Sequence, residues 1–163
     1  MNTLLTQLAG PGADAQQLVQ DTVRVLAALA IGGAIGLQRQ LTGHAAGLRT
    51  HMLVSLGATL FVLAVIGLPE DALTRVIQGI VTGVGFLGAG AILKLPQQRE
   101  IYGLTTAADV WLTAAASVCS ATGHYFTALL AVALAWIVLA LLLRFEDRIG
   151  PPKQEGSGVD PVS

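Results

Sequence analysis

The chain is divided by long runs without formal charge, and these runs decide which solvent it folds in. A helical span needs roughly 20 mostly apolar residues to cross about 30 Å of hydrocarbon. Thr50 to Pro69 is such a run, broken only by the titratable His51, and so are Val76 to Leu93 and Tyr125 to Leu143. Leu104 to Thr122 is a fourth, and it carries Asp109. The first candidate is shorter, with only Val25 to Gln38 uncharged, so its helix must extend back toward Leu18 while Arg24 snorkels to the headgroups. The spacing predicts an all-α membrane protein of about five transmembrane helices. Residues 1–17 read as a short outer segment, 18–148 as the membrane domain and 149–163, rich in Pro, Gly and polar residues, as a disordered cytoplasmic tail.

Composition agrees: 53% of residues are hydrophobic and 12% charged, with a mean hydropathy of +0.68, which is foreign to a soluble domain. A net charge of -1 without a basic block leaves no basis for nucleic-acid binding. The single cysteine, Cys119, excludes an intramolecular disulfide and any Cys/His zinc spacing, and no cofactor is expected. The first 20 residues lack a basic start and a sustained apolar core, so no cleaved signal peptide is expected.

Lys and Arg in alternate connections set the direction of insertion. Arg39, Arg49, Lys94, Arg99, Arg144, Arg148 and Lys153 fall on one side, and only Arg24 and Arg75 on the other. This asymmetry predicts an outer N-terminus and a cytoplasmic C-terminus, with Asp14, Asp21, Glu70 and Asp71 outside.

Gly83, Gly85 and Gly88 spell G-x-G-x-x-G, with Asp109 about 20 residues on, as a dinucleotide site would have. They lie within an apolar span with no strand before it, so the fingerprint lacks its βαβ frame. Two other readings stay open. Gly79 with Gly83, and Gly32 with Gly36, form GxxxG faces that let helices approach closely in lipid and favour a homodimer. Alternatively, the third span breaks across Gly85, Gly88 and Gly90 and offers carbonyls to a cation.

Asp109 stands out because a carboxylate inside a span costs about 2.5 to 3.5 kcal/mol at the centre. It lies roughly 9 Å along the helix from Gly103, at 1.5 Å per residue. Arg49 and His51 open the second span on the same side, and an Arg49–Asp109 ion pair is the predicted compensation. Such a pair either fixes helix register or marks a proton or cation site. Thr106, Asp109, Thr113, Ser117, Ser120 and His124 recur every three or four residues along one face of the fourth span, suited to interhelical hydrogen bonds or to a wetted path. Thr105 and Thr106 are placed to cap that helix. Arg39 and Arg49 bracket a loop holding Gly43, His44 and Gly47, readable as a docking surface or as an anchor for lipid headgroups. Trp111 and Trp136 read as packing residues. No nucleophile elbow, metalloprotease helix, paired-carboxylate or phosphate-loop pattern is present, and the chain is not expected to be an enzyme.

Three segments carry a family resemblance: GLQRQLTGHAAGLRTHMLVSLGA at Gly36 to Ala58, GVGFLGAGAI at Gly83 to Ile92, and GLTTAADVW at Gly103 to Trp111. In this order and spacing the chain resembles the membrane domain of the MgtC/SapB family. The resemblance implies a bacterial inner-membrane protein linked to growth in low magnesium and to survival inside macrophages, acting on the proton-driven ATP synthase. Longer members add a soluble domain after the last span, whose functions are not carried over. Gln38 stands where the family usually has Glu, and Thr105 where some relatives have Asn. The candidate functional residues are Arg39, Arg49, Thr50, His51, Thr105, Thr106 and Asp109, with no metal ligands assigned. The expected function is regulation by contact with another membrane complex. The alternative is a small Mg2+ or proton transporter using Asp109 and the polar face of the fourth span.

Overall fold

In the computed structural model, which describes residues 15–94 and 101–146, the apolar runs fold as five helices. They are α1 (Ala15–Leu41), α2 (Leu48–Leu63), α3 (Glu70–Ala91), α4 (Leu104–Ala121) and α5 (Tyr125–Glu146). The expected tail at 149–163 and most of the segment 1–17 lie outside the described residues. Among the described residues, two helices, α1 and α3, are each long and apolar enough to cross a membrane by themselves.

The breaks between helices have local causes. After α1 the chain turns within residues 42–47, where Gly43 takes a positive φ of 75° and the amides of Thr42 and His44 donate to Gln38 O and Arg39 O at 3.1 and 3.0 Å. Glycine takes this left-handed conformation without the Cβ clash that penalises other residues. The second helix ends at Leu63, earlier than the charge-free run predicts, because residues 64–68 tighten into turns before Pro69 at the N-cap of α3. Its 16 residues reach about 24 Å. Beyond α3, the strands β1 (Leu93–Lys94) and β2 (Ile101–Tyr102) pair antiparallel, Leu93 against Tyr102. Gly103, at φ 91°, then opens α4 so close to Ala91 O that a Cβ there would collide with it.

The third helix runs unbroken through Gly85, Gly88 and Gly90, which excludes the alternative of a broken span. Glycine loses more entropy in a helix than alanine, but in lipid an unwound backbone has no water to satisfy it. The two GxxxG faces also part company. A Cβ on Gly32 would meet His51 O at 2.5 Å and one on Gly36 would meet Leu48 Cα at 2.8 Å, so α1 and α2 do approach through these glycines. Gly79, Gly83, Gly85 and Gly90 face open space, and only Gly88 packs, 3.4 Å from the Ala107 Cβ. Arg24 folds back along α1 to Asp21 at 3.2 Å.

The fourth helix is central: it touches all four others, while α2 and α3 meet only sparsely. The buried apolar side chains are mostly small, including Ala28, Ala58, Val62, Val84, Val110 and Ala114. Bulky ones, among them Phe61, Phe86, Phe126 and Leu129, point outward. Among the described residues, nine polar or charged side chains occupy the interior. Polar groups inside and large apolar groups outside is the arrangement expected when lipid is the solvent, since lipid gives no drive to hide leucine and penalises an exposed hydroxyl or charge.

Candidate functional site: a buried polar ladder

Helices α2 and α4 are held in parallel register by paired polar side chains. His51 Nδ1 lies 2.9 Å from Thr113 Oγ1, and one turn on Ser55 Oγ lies 2.6 Å from Ser117 Oγ. Both steps have the same offset, so the two helices keep step along the ladder. Thr113 Oγ1 also lies 2.8 Å from Asp109 O, one turn back on α4. Ser117 Oγ also lies 2.7 Å from Thr113 O, and Ser55 Oγ reaches Ala28 O on α1; with one proton each, one serine donates across the rung and the other to its backbone carbonyl. The ladder thus joins three helices.

At one end sits an ion pair. Arg39 projects inward from the last turn of α1, with Nε 2.8 Å from Asp109 Oδ2 and the two side chains 2% and 7% exposed. Although the distance is short, the Nε and Oδ2 atoms do not meet hydrogen-bond directions. The contact is therefore coulombic rather than a linear hydrogen bond. The guanidinium also donates from Nη2 to Thr106 Oγ1 at 3.2 Å. Moving either charge out of water alone costs several kcal/mol, and a close partner offsets much of that.

This corrects the predicted Arg49–Asp109 pair. Arg49 is the second residue of α2 and is exposed, as is Thr50, because that register turns His51 inward instead. Arg39, predicted to border a docking loop, is the partner. The predicted capping role also fails: the N-cap of α4 is Gly103, with no side-chain cap hydrogen bond, Thr105 is exposed, and Thr106 serves Arg39. The polar line of α4 is buried from Thr106 to Ser120, whereas His124 lies exposed beyond the helix, 3.1 Å from Thr122 Oγ1. Trp111 and Trp136 lie at the surface, and Trp136 Nε1 donates to Ala34 O at 3.0 Å, tying α5 to α1.

Ser55 and Thr59 were not singled out in the sequence. Their spacing from His51, four and eight residues, repeats on α2 the pattern that betrayed the α4 line. Thr59 Oγ1, Ser120 Oγ and His51 Nε2 are buried without a hydrogen-bond partner among the described residues. Fully buried Val62 and Ala121 follow them toward the far end of these helices. No cluster of three His, Cys, Asp or Glu side chains suited to a metal occurs among the described residues. Outside the ladder, burial and then the positive charge of Arg39 hold the His44 imidazole below its usual pKa.

These features define an all-α membrane protein with a buried, internally paired charge at one end of its polar ladder. The chain belongs to the MgtC family, whose family model matches residues 25–148. It is 40% identical over 134 residues to YhiD of Escherichia coli (strain K12), covering 77% of this chain and 61% of the relative, whose name assigns it provisionally to magnesium transport. It is 46% identical over 105 residues to SrpB of Synechococcus elongatus, covering 56% of this chain and 58% of that protein. It is 37% identical over 136 residues to MgtC of Salmonella typhimurium (strain LT2), covering 82% and 58%. The chain spans about three fifths of the length of these curated relatives. No solved structure matches it.

Proposed function

We propose that this chain is a multi-pass regulatory protein of the bacterial inner membrane, with an outer N-terminus, that acts in adaptation to low magnesium by contact with another membrane complex. The observation that carries this reading is the Arg39–Asp109 pair at 2.8 Å within an almost wholly buried ladder. From Arg39 to Ser117 the polar groups a conduit would need are spent on one another or on backbone carbonyls, and what the bundle offers its surroundings is an apolar surface. Family membership and the magnesium in the name of one relative support the physiological setting. The resemblance of the sequence motifs supports survival inside host cells as a role and the proton-driven ATP synthase as the complex. No enzymatic step enters this reading. Self-association as a homodimer belongs to it, with the open face of α3 around Phe86 and Gly90 as one available surface.

A second reading, a small Mg2+ or proton transporter, draws on Thr59, Ser120 and His51 Nε2, which continue the polar line without partners. Flux into liposomes holding the purified protein separates the two. Contact regulation predicts no Mg2+ or proton flux above protein-free vesicles, with or without Asp109→Asn. Flux that the wild type supports and Asp109→Asn abolishes would establish transport instead.

A further inference from the structure

Where α2 and α3 splay apart, they leave an apolar groove of about 740 Å³. Three glycines, Gly57, Gly79 and Gly83, scoop it out, and a Cβ on any of them would meet nothing within 4 Å. Phe61 lines its mouth toward the α2–α3 turn and Leu87 its other end, toward the C-terminus of α3. From Arg75 to Leu87 the groove follows α3 for about 18 Å, at 1.5 Å per residue. That is on the order of one leaflet, half of the roughly 30 Å of hydrocarbon. Farther along, α3 closes onto α4 where Gly88 meets the Ala107 Cβ at 3.4 Å. A transmembrane helix seated in the groove would need a track about twice as long.

The mouth carries both signs of charge. Arg75 is the one charged residue lining the groove among the described residues, and it pairs with Asp71 at 2.6 Å while the two side chains stay 68% and 62% exposed. Glu70 precedes them at the start of α3. A purely anionic headgroup would gain from Arg75 and be repelled by its two acidic neighbours. A zwitterionic headgroup with a primary ammonium can set its phosphate on Arg75 and its ammonium on Asp71, exchanging one exposed ion pair for two contacts.

We propose that the α2–α3 groove is a binding site for one phosphatidylethanolamine-type lipid of the leaflet that holds the α2–α3 turn, with its acyl chain along Gly57, Gly79 and Gly83 and its headgroup on Arg75 and Asp71. Filling the groove with an ordered chain gives α3 a packed surface on its side toward α2, where the protein itself supplies little.

Native mass spectrometry of the delipidated full chain, titrated with phosphatidylethanolamine and separately with phosphatidylglycerol, tests the site. The expected result is one saturable phosphatidylethanolamine adduct, at least ten-fold preferred over phosphatidylglycerol. Gly79→Leu and, independently, Gly83→Leu abolish it, and Arg75→Gln weakens it about ten-fold. A side chain added at Gly79 or Gly83 enters open space and Arg75 is exposed, and retained helical content and melting temperature confirm that the variants are folded. Equal adducts for both lipids, or adducts unchanged in the folded groove variants, would overturn the proposal. So would a dimer that Gly79→Leu dissociates, because the occupant would then be a second copy.

Discussion

Arg39 Nε lies 2.8 Å from Asp109 Oδ2, joining the last turn of α1 to the first turns of α4 across 70 residues of sequence, with both side chains almost wholly buried. A buried pair is costly to break and much less costly to replace. Removing one partner strands a charge and loses roughly 3–5 kcal/mol, whereas substituting both by apolar residues of similar volume is often neutral or stabilising. Arg39→Ala and Asp109→Ala should each lower stability by about that amount in detergent unfolding. The double variant Arg39→Met with Asp109→Leu should recover most of the loss. Independent, additive losses would mean that the two charges do not depend on each other.

The two GxxxG pairs make a controlled contrast, since the same pattern has opposite surroundings. Gly32→Ala pushes a methyl group into the backbone of His51 and Met52, and overpacking of this kind costs typically 1–3 kcal/mol. Gly79→Ala adds a methyl group to open space within α3 and should raise stability by roughly 0.5–1 kcal/mol, because alanine loses less backbone entropy in a helix. Melting curves of the two variants in the same detergent check this, and equal losses would contradict the packing described.

The connection between α1 and α2 gives a pH dependence. Burial and the nearby Arg39 charge disfavour the protonated His44 imidazole, so its folded-state pKa lies below the ordinary 6.5. Above that ordinary value His44 is neutral in both folded and unfolded chains, and its contribution to stability is fully present. As pH falls, the unfolded chain takes up the proton first, and that contribution is lost until pH reaches the lower folded value. His44→Gln should therefore flatten the fall in stability below about pH 6.5. An acid limb unchanged by the substitution would assign that dependence to other groups.

The helices were largely legible in the sequence because charge-free length and hydropathy are properties of single segments. The second helix ended early because Gly67, at φ 88°, and the turns around it lie inside the apolar run, where composition gives no warning. Asp109 was legible as a residue needing compensation, because an acid in a span is conspicuous whatever surrounds it. Its partner was not: Arg39 and Arg49 lie at opposite ends of one short connection, and choosing between them needs the rotation of α1 and α2 about their axes. The same rotation separates Gly32 from Gly79, which no count of GxxxG motifs distinguishes. Ser55 and Thr59 could have been read from their spacing with His51.

The central claim is that the polar ladder between α2 and α4 is an internal lock closed to water, and accessibility of substituted cysteines tests it most directly. In a Cys119→Ala background, Thr113→Cys and Ser117→Cys are placed one at a time in the buried ladder, with Thr50→Cys and Thr105→Cys as exposed controls. Water-soluble methanethiosulfonate reagents are then applied to proteoliposomes from either side. The structure predicts rapid modification of the controls and none at Thr113→Cys or Ser117→Cys. Modification of both ladder positions in folded protein would contradict it and show that water reaches the polar line.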